Sequence, residues 1–240
     1  MTLASEQSTR YEQDGFLVLP DFVDHSTCDQ LRKRADELVR DFDPQGVISI
    51  FSTQEQTRTS DDYFLESGDK IRFFFEENAF LLDGTLRQSK ERSINKIGHA
   101  LHDLDPVFGK FSRTDKIKQL VSDLGIADPL LLQSMYIFKQ PNNCGLKSRF
   151  VRADGGGTRF EVFDNTPWPE EKLQPLEVEK GTLIVLHPLL PHLSRGNTSQ
   201  RSRHAYTLHI IDASARYPKD NWLQRSREMP VQGFWDNQIE

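Results

Sequence analysis

At Leu130 the hydrophobic period of the chain changes, and that switch limits the folds open to it. Upstream, apolar residues recur at helical spacing. Leu31, Ala35, Leu38, Val39 and Phe42 follow a Thr27 and Gln30 pair that reads as a capping box, and Ile94, Ile97, Leu101 and Leu104 predict a second helix ending before Pro106. A short helix over 6–14 stopped by Gly15, a strand over 16–19 ended by Pro20, a strand over 70–75 and a helix over 116–124 ended by Gly125 complete this half. The polar stretch 52–62 reads as loop. Downstream, 130–139, 159–163, 176–178, 182–186 and 205–211 read as strands, parted by Gly, Pro and Asn clusters. Helices first and strands afterwards predict an α+β domain, a jelly-roll core with N-terminal helices packed outside it.

A 36% hydrophobic content with 10% aromatics supports a packed core, and 240 residues suit a single domain spanning 1–240. The net charge of −6 offers no basic face for phosphate backbones, so nucleic acid is not an expected partner, and Arg32-Lys33-Arg34 reads as the wet face of a helix. Cys28 and Cys144 form no C-x-x-C pair, which suits reduced thiols. Residues 1–13 are polar and no apolar stretch is long enough to span a bilayer. The expectation is a cytoplasmic protein without a membrane partner. No G-x-S-x-G elbow supports nucleophilic chemistry, and the Asn197-Thr198-Ser199 sequon has no secretion signal to give it meaning.

The segments Leu183–His187, Pro191–Ser194 and Arg201–His209 look like one half of a site for a metal and an oxo-acid. Histidine on one strand, His192, is followed eleven positions later by an arginine on the next, Arg203. The other half of such a site is an upstream His-x-Asp or His-x-Glu pair. None of the seven histidines, at 25, 99, 102, 187, 192, 204 and 209, has a carboxylate two positions on.

Three long blocks carry a family resemblance: Tyr63-Phe64-Leu65 with Ser67–Glu76, Ser93–Leu101, and Gln133–Pro141. In these the chain resembles the phytanoyl-CoA dioxygenase family of Fe(II)/2-oxoglutarate oxygenases, built on a double-stranded β-helix. The resemblance implies hydroxylation coupled to decarboxylation of 2-oxoglutarate, with His192 as an iron ligand. It also implies Ser194 and Arg203 on the oxo-acid carboxylate and Lys96 and Met135 touching the oxo-acid. Neutral imidazole suits Fe(II) and a planar guanidinium suits a carboxylate. Here, however, Pro141 leads directly into Asn142–Arg152, which is similar to what the family places several strands later. The expectation is therefore an incomplete jelly roll, with core strands and the His-x-Asp pair deleted near 141–146 and two strand edges left unpaired. Such a chain is expected to be an inactive splice variant or an incomplete gene model, doubtful in iron binding. The alternative is a metal-free 2-oxoglutarate-binding or regulatory protein. The primary substrate is left open, an acyl-type molecule being suggested by family analogy alone.

Taken without the family, the same residues have plainer readings. His192 is then a loop histidine, Arg203 a surface charge, Lys96 a solvated lysine on the polar side of a helix, Met135 core packing and Phe73–Phe75 a buried strand or a substrate wall. A replacement metal set of His187, His192, His209 and Asp212 is the remaining arrangement to test.

Overall fold

The computed structural model describes residues 2–50, 61–139, 147–154, 156–164, 166, 169–192 and 202–234. Its centre is an antiparallel sheet of four strands: β2 (Ile71–Phe75), β3 (Ile94–His99), β4 (Pro129–Lys139) and β8 (Arg203–Asp212), in the order β2-β3-β4-β8. β1 (Phe16–Leu19) pairs with β7 (Leu183–Leu186), and β5 (Lys147–Arg152) pairs with β6 (Thr158–Asp164) as separate two-stranded ribbons. Helices α1 (Ser5–Asp14), α2 (His25–Asp41), α3 (Asp62–Leu65), α4 (Lys90–Ser93), α5 (Leu101–Leu104), α6 (Pro106–Ser112) and α7 (Asp115–Asp123) precede β4 or flank its sheet. The α+β class therefore stands, as a sheet with helices on one side and no closed barrel.

One face of the large sheet is buried under helices. Leu31, Ala35 and Val39 of α2 and Phe108 of α6 pack on Phe73, Phe75, Ile97, Tyr136 and Phe138. A second cluster joins Leu19, Phe22 and the α7 residues Ile117, Leu120 and Val121 to partly buried Leu183, Val185, Leu208 and Ile210. Each fully buried side chain of this size contributes roughly 1.5–3 kcal/mol. The ribbons differ: β7 pairs with β1 alone and has no buried residue, and Leu186 is exposed.

Several sequence expectations change. The N-cap of α2 is Asp24, whose carboxylate accepts from the Thr27 amide at 2.8 Å, so Thr27 lies inside the helix. Residues 94–99 form strand β3, followed by the short helix α5, where one helix was expected. Both faces of that strand are covered, so Ile94 and Ile97 are buried on opposite sides and imitate helical spacing. Residues 176–178 form no strand, and Leu176 and Val178 lie exposed. β5 was not anticipated, and β2 and β3 place two strands of the main sheet in the half expected to be helical. The expected loop at 52–62 lies outside the described residues except for its last two positions, and the expected seam at 141–146 lies wholly outside them.

Candidate functional site

Cross-strand partners in a sheet share a face. Phe74 faces Lys96, Lys96 faces Ile137 and Ile137 faces Ala205, and in neighbouring rows Gly98, Met135 and Thr207 align, as do Gln133 with His209 and Lys139 with Arg203. Lys96, Met135 and Arg203 therefore stand on the same face, the one turned away from α2. Gly98 leaves the room that Met135 uses: a Cβ there would meet Met135 Cγ at 3.3 Å.

Lys96 is the unexpected member. Expected as a wetted helix residue, it is a strand residue only 4% exposed, with Nζ 3.9 Å from Met135 Sδ. Nζ lies 5.5 Å from the Phe64 ring centroid and 5.3 Å from that of Phe74. Phe64 stacks on Trp222 at 4.4 Å and meets Phe74 edge-on at 5.6 Å, so the amine sits against an aromatic wall. Burial pushes its pKa down to about 7, because an ammonium in such surroundings gives up hydration.

His99 completes the wall. It is fully buried, tilted 5.2 Å from Phe74 and edge-on to Trp222 at 5.0 Å. Ser67 Oγ donates to the Phe64 carbonyl at 2.5 Å, so its oxygen accepts from His99 Nδ1 at 2.7 Å. That fixes the tautomer with hydrogen on Nδ1 and leaves Nε2 a bare acceptor with no hydrogen-bond partner among the described residues. Burial, then the charges of Lys96 and His209, holds the imidazole well below its ordinary pKa. His209 is solvent-exposed, yet desolvation leads the lowering of its pKa, followed by Lys96 and His192. Lys96, His99, His209 and His192 thus lie within one another's electrostatic reach as a chain of neighbours.

Of the residues expected to serve the site, Lys96 and Met135 touch. Arg203 begins β8, exposed, beside Lys139. His192 lies in the turn after β7 rather than on a strand; it is exposed, and its Nδ1 donates to the Leu190 carbonyl at 2.9 Å, which leaves Nε2 free to bind. Ser194 lies outside the described residues. No group of three His, Cys, Asp or Glu side chains able to hold a metal occurs among the described residues, so the set His187, His192, His209 and Asp212 does not converge. Iron does not fit what is present: one ligand-competent imidazole is too little to keep Fe(II).

The aromatic wall and its C-terminal cover escaped sequence reasoning. The segment around Trp222 is tied down by Arg152, whose Nε donates to the Trp222 carbonyl at 3.1 Å and whose Nη2 donates to the Leu65 carbonyl at 2.6 Å. Beneath it lies a buried ionic cluster in which Asp103 accepts from Arg113 Nη2 at 2.5 Å and from Arg225, with His102 Nε2 at 3.1 Å. Burial alone would raise the Asp103 pKa, but its hydrogen bonds from His102, Arg113 and Arg225 hold it well below the carboxylate range.

Comparison with known proteins agrees with this arrangement. The sequence model of the phytanoyl-CoA dioxygenase family matches residues 11–150 and 151–205. A phytanoyl-CoA dioxygenase of Arabidopsis thaliana is 39% identical over 274 aligned positions, covering 94% of this chain and 95% of its own length. Phytanoyl-CoA dioxygenase domain-containing protein 1 of Bos taurus is 36% identical over 284 positions, covering 95% and 97%. Both alignments are longer than the 240 residues of the chain, so they cross positions at which it has none. Among solved structures, EctD from S. alaskensis with bound Fe superposes with a TM-score of 0.55 at 16% identity, over 93% of this chain and 82% of that one. HygX from Streptomyces hygroscopicus, with nickel and 2-oxoglutarate bound, gives 0.53 at 13% identity, over 89% of each. These two establish the fold.

Proposed function

Because the chain belongs to the phytanoyl-CoA dioxygenase family of Fe(II)- and 2-oxoglutarate-dependent dioxygenases, we propose that this 240-residue form has lost turnover and keeps the oxo-acid half of the family pocket. The observation that carries the reading is the donor set. His192 has no His-x-Asp partner in the sequence and no converging ligands among the described residues. The break of the family match between 150 and 151, and alignments longer than the chain, support a deletion close to the 141–146 seam. A splice variant or incomplete gene model accounts for both, and transcript sequencing across 141–150 tests it.

What remains suits a carboxylate. Arg203 supplies a permanent planar cation, Ser194 a hydroxyl two residues from His192, and Lys96 and Met135 the floor between them. Metal-free binding of 2-oxoglutarate, at a cytoplasmic site and with no nucleic acid or membrane partner, is the retained activity. Among the described residues no helix is long and apolar enough to cross a membrane. The primary substrate of the intact family pocket, an acyl-type molecule by analogy, has no selecting residue here.

The test is a melting curve with millimolar 2-oxoglutarate and EDTA, alongside anaerobic Fe(II) loading and a succinate assay. The reading expects a rise in Tm without iron, no stoichiometric iron and no succinate. Iron-dependent consumption of the oxo-acid, abolished in His192→Ala, refutes it.

A further inference from the structure

We propose that Lys96 forms a Schiff base with the keto carbon of a 2-oxo dicarboxylate held on this face of the sheet. The inference rests on the oxo-acid pocket above and adds a covalent step to it. Three features of Lys96 point there. Its Nζ is withdrawn from water against Phe64, Phe74 and the Met135 sulfur, surroundings that favour a neutral amine over an ammonium and still stabilise a delocalised cation through the ring faces. Burial brings the amine close to neutrality, so an unprotonated nucleophile is present at pH 7. The sheet also sets the distance to the carboxylate grip. Lys96 and Arg203 are two strands and one row apart on the same face, roughly 12 Å between their Cα atoms at ordinary strand spacing. Two long side chains reaching inward leave a span that a 2-oxo dicarboxylate fills, its distal carboxylate on the guanidinium and its keto carbon at Nζ.

The step balances without a co-reactant. The amine lone pair forms the C–N bond as the carbonyl π pair moves to oxygen, and that oxygen takes the proton shed by nitrogen, giving a carbinolamine. The nitrogen pair then expels this hydroxyl, with one further proton, as water and leaves C=N. One water is released per imine, and no electrons are exchanged.

The full chain is incubated with 2-oxoglutarate and EDTA, reduced with sodium cyanoborohydride, digested and mapped by mass spectrometry, with pyruvate as the monocarboxylate control. The expected product is one adduct on Lys96, the mass of one oxo-acid plus two hydrogens less one water. Its yield should exceed that with pyruvate by about tenfold, the ratio that 1.4 kcal/mol of carboxylate recognition supplies. Lys96→Arg, which keeps the charge, should lose it. If that variant does not fold, the wild-type map decides: adducts spread over solvent-accessible lysines such as Lys70 and Lys180, or none at Lys96, overturn the proposal. A rise in Tm with 2-oxoglutarate but no Lys96 adduct refutes the covalent step and leaves the pocket standing; neither signal refutes both.

Discussion

Replacing Lys96 by methionine should make the protein more stable, and by an amount the surroundings of the amine set. The folded chain holds the Lys96 proton with a pKa of about 7 against an ordinary 10.5. At about 1.4 kcal/mol for each tenfold change in proton affinity, the fold loses about 4 kcal/mol at neutral pH by keeping this group dry. Cation–ring contacts with Phe64 and Phe74 return about 0.5–2 kcal/mol each. Lys96→Met has similar length, places a thioether beside Met135 and the rings, and should gain roughly 1–3 kcal/mol net, about 2–12 °C in Tm for a chain of this size. The pH dependence has a definite sign. The folded pKa is depressed, so the penalty is complete below about 7 and fades as pH rises toward 10.5, and wild-type stability climbs through that window. The variant lacks that climb. Urea or thermal unfolding of both proteins at about pH 6, 8 and 10 measures it. An unchanged or lower midpoint in the variant, with the alkaline rise retained, would refute the account of Lys96 as a buried amine.

Asp103→Asn leaves Arg113 and Arg225 buried without their shared carboxylate and should cost about 3–5 kcal/mol by urea unfolding. Because the folded pKa of Asp103 is depressed, its contribution is complete above about pH 4 and is lost as pH falls toward the folded value, so the variant should lack that part of the acid transition. Gly68→Ala drives a methyl group into the Gln224 carbonyl; loosening of the 217–226 segment should cost about 1–3 kcal/mol and speed tryptic cleavage at Arg225.

The parts of the fold legible in the sequence are those where one face is wet. Gly15, at φ 75°, ends α1 where expected, and β4 occupies nearly the stretch read from its β-branched and aromatic run. Lys96 was misplaced because β3 is covered on both sides, which erases the alternation that marks a strand. The sequence signal that could have found it is Phe73–Phe75 followed by Ile94-Asn95-Lys96-Ile97, two short apolar runs able to pair across a turn. Trp222 and His99 were out of reach, since their meeting joins residues more than a hundred positions apart and depends on Arg152 holding the C-terminal segment down. The missing iron ligands, by contrast, could be read directly, as an absence after each histidine.

The order β2-β3-β4-β8 draws three strands from before residue 140 and one from after residue 202. Nothing between them contributes to that sheet among the described residues. In this architecture the wall that receives an organic acid and the wall that would carry iron come from separate stretches of polypeptide. Losing the middle of the chain therefore separates two capacities that an intact oxygenase must use together, and evolution or splicing can remove the redox half without rewriting the half that recognises the acid.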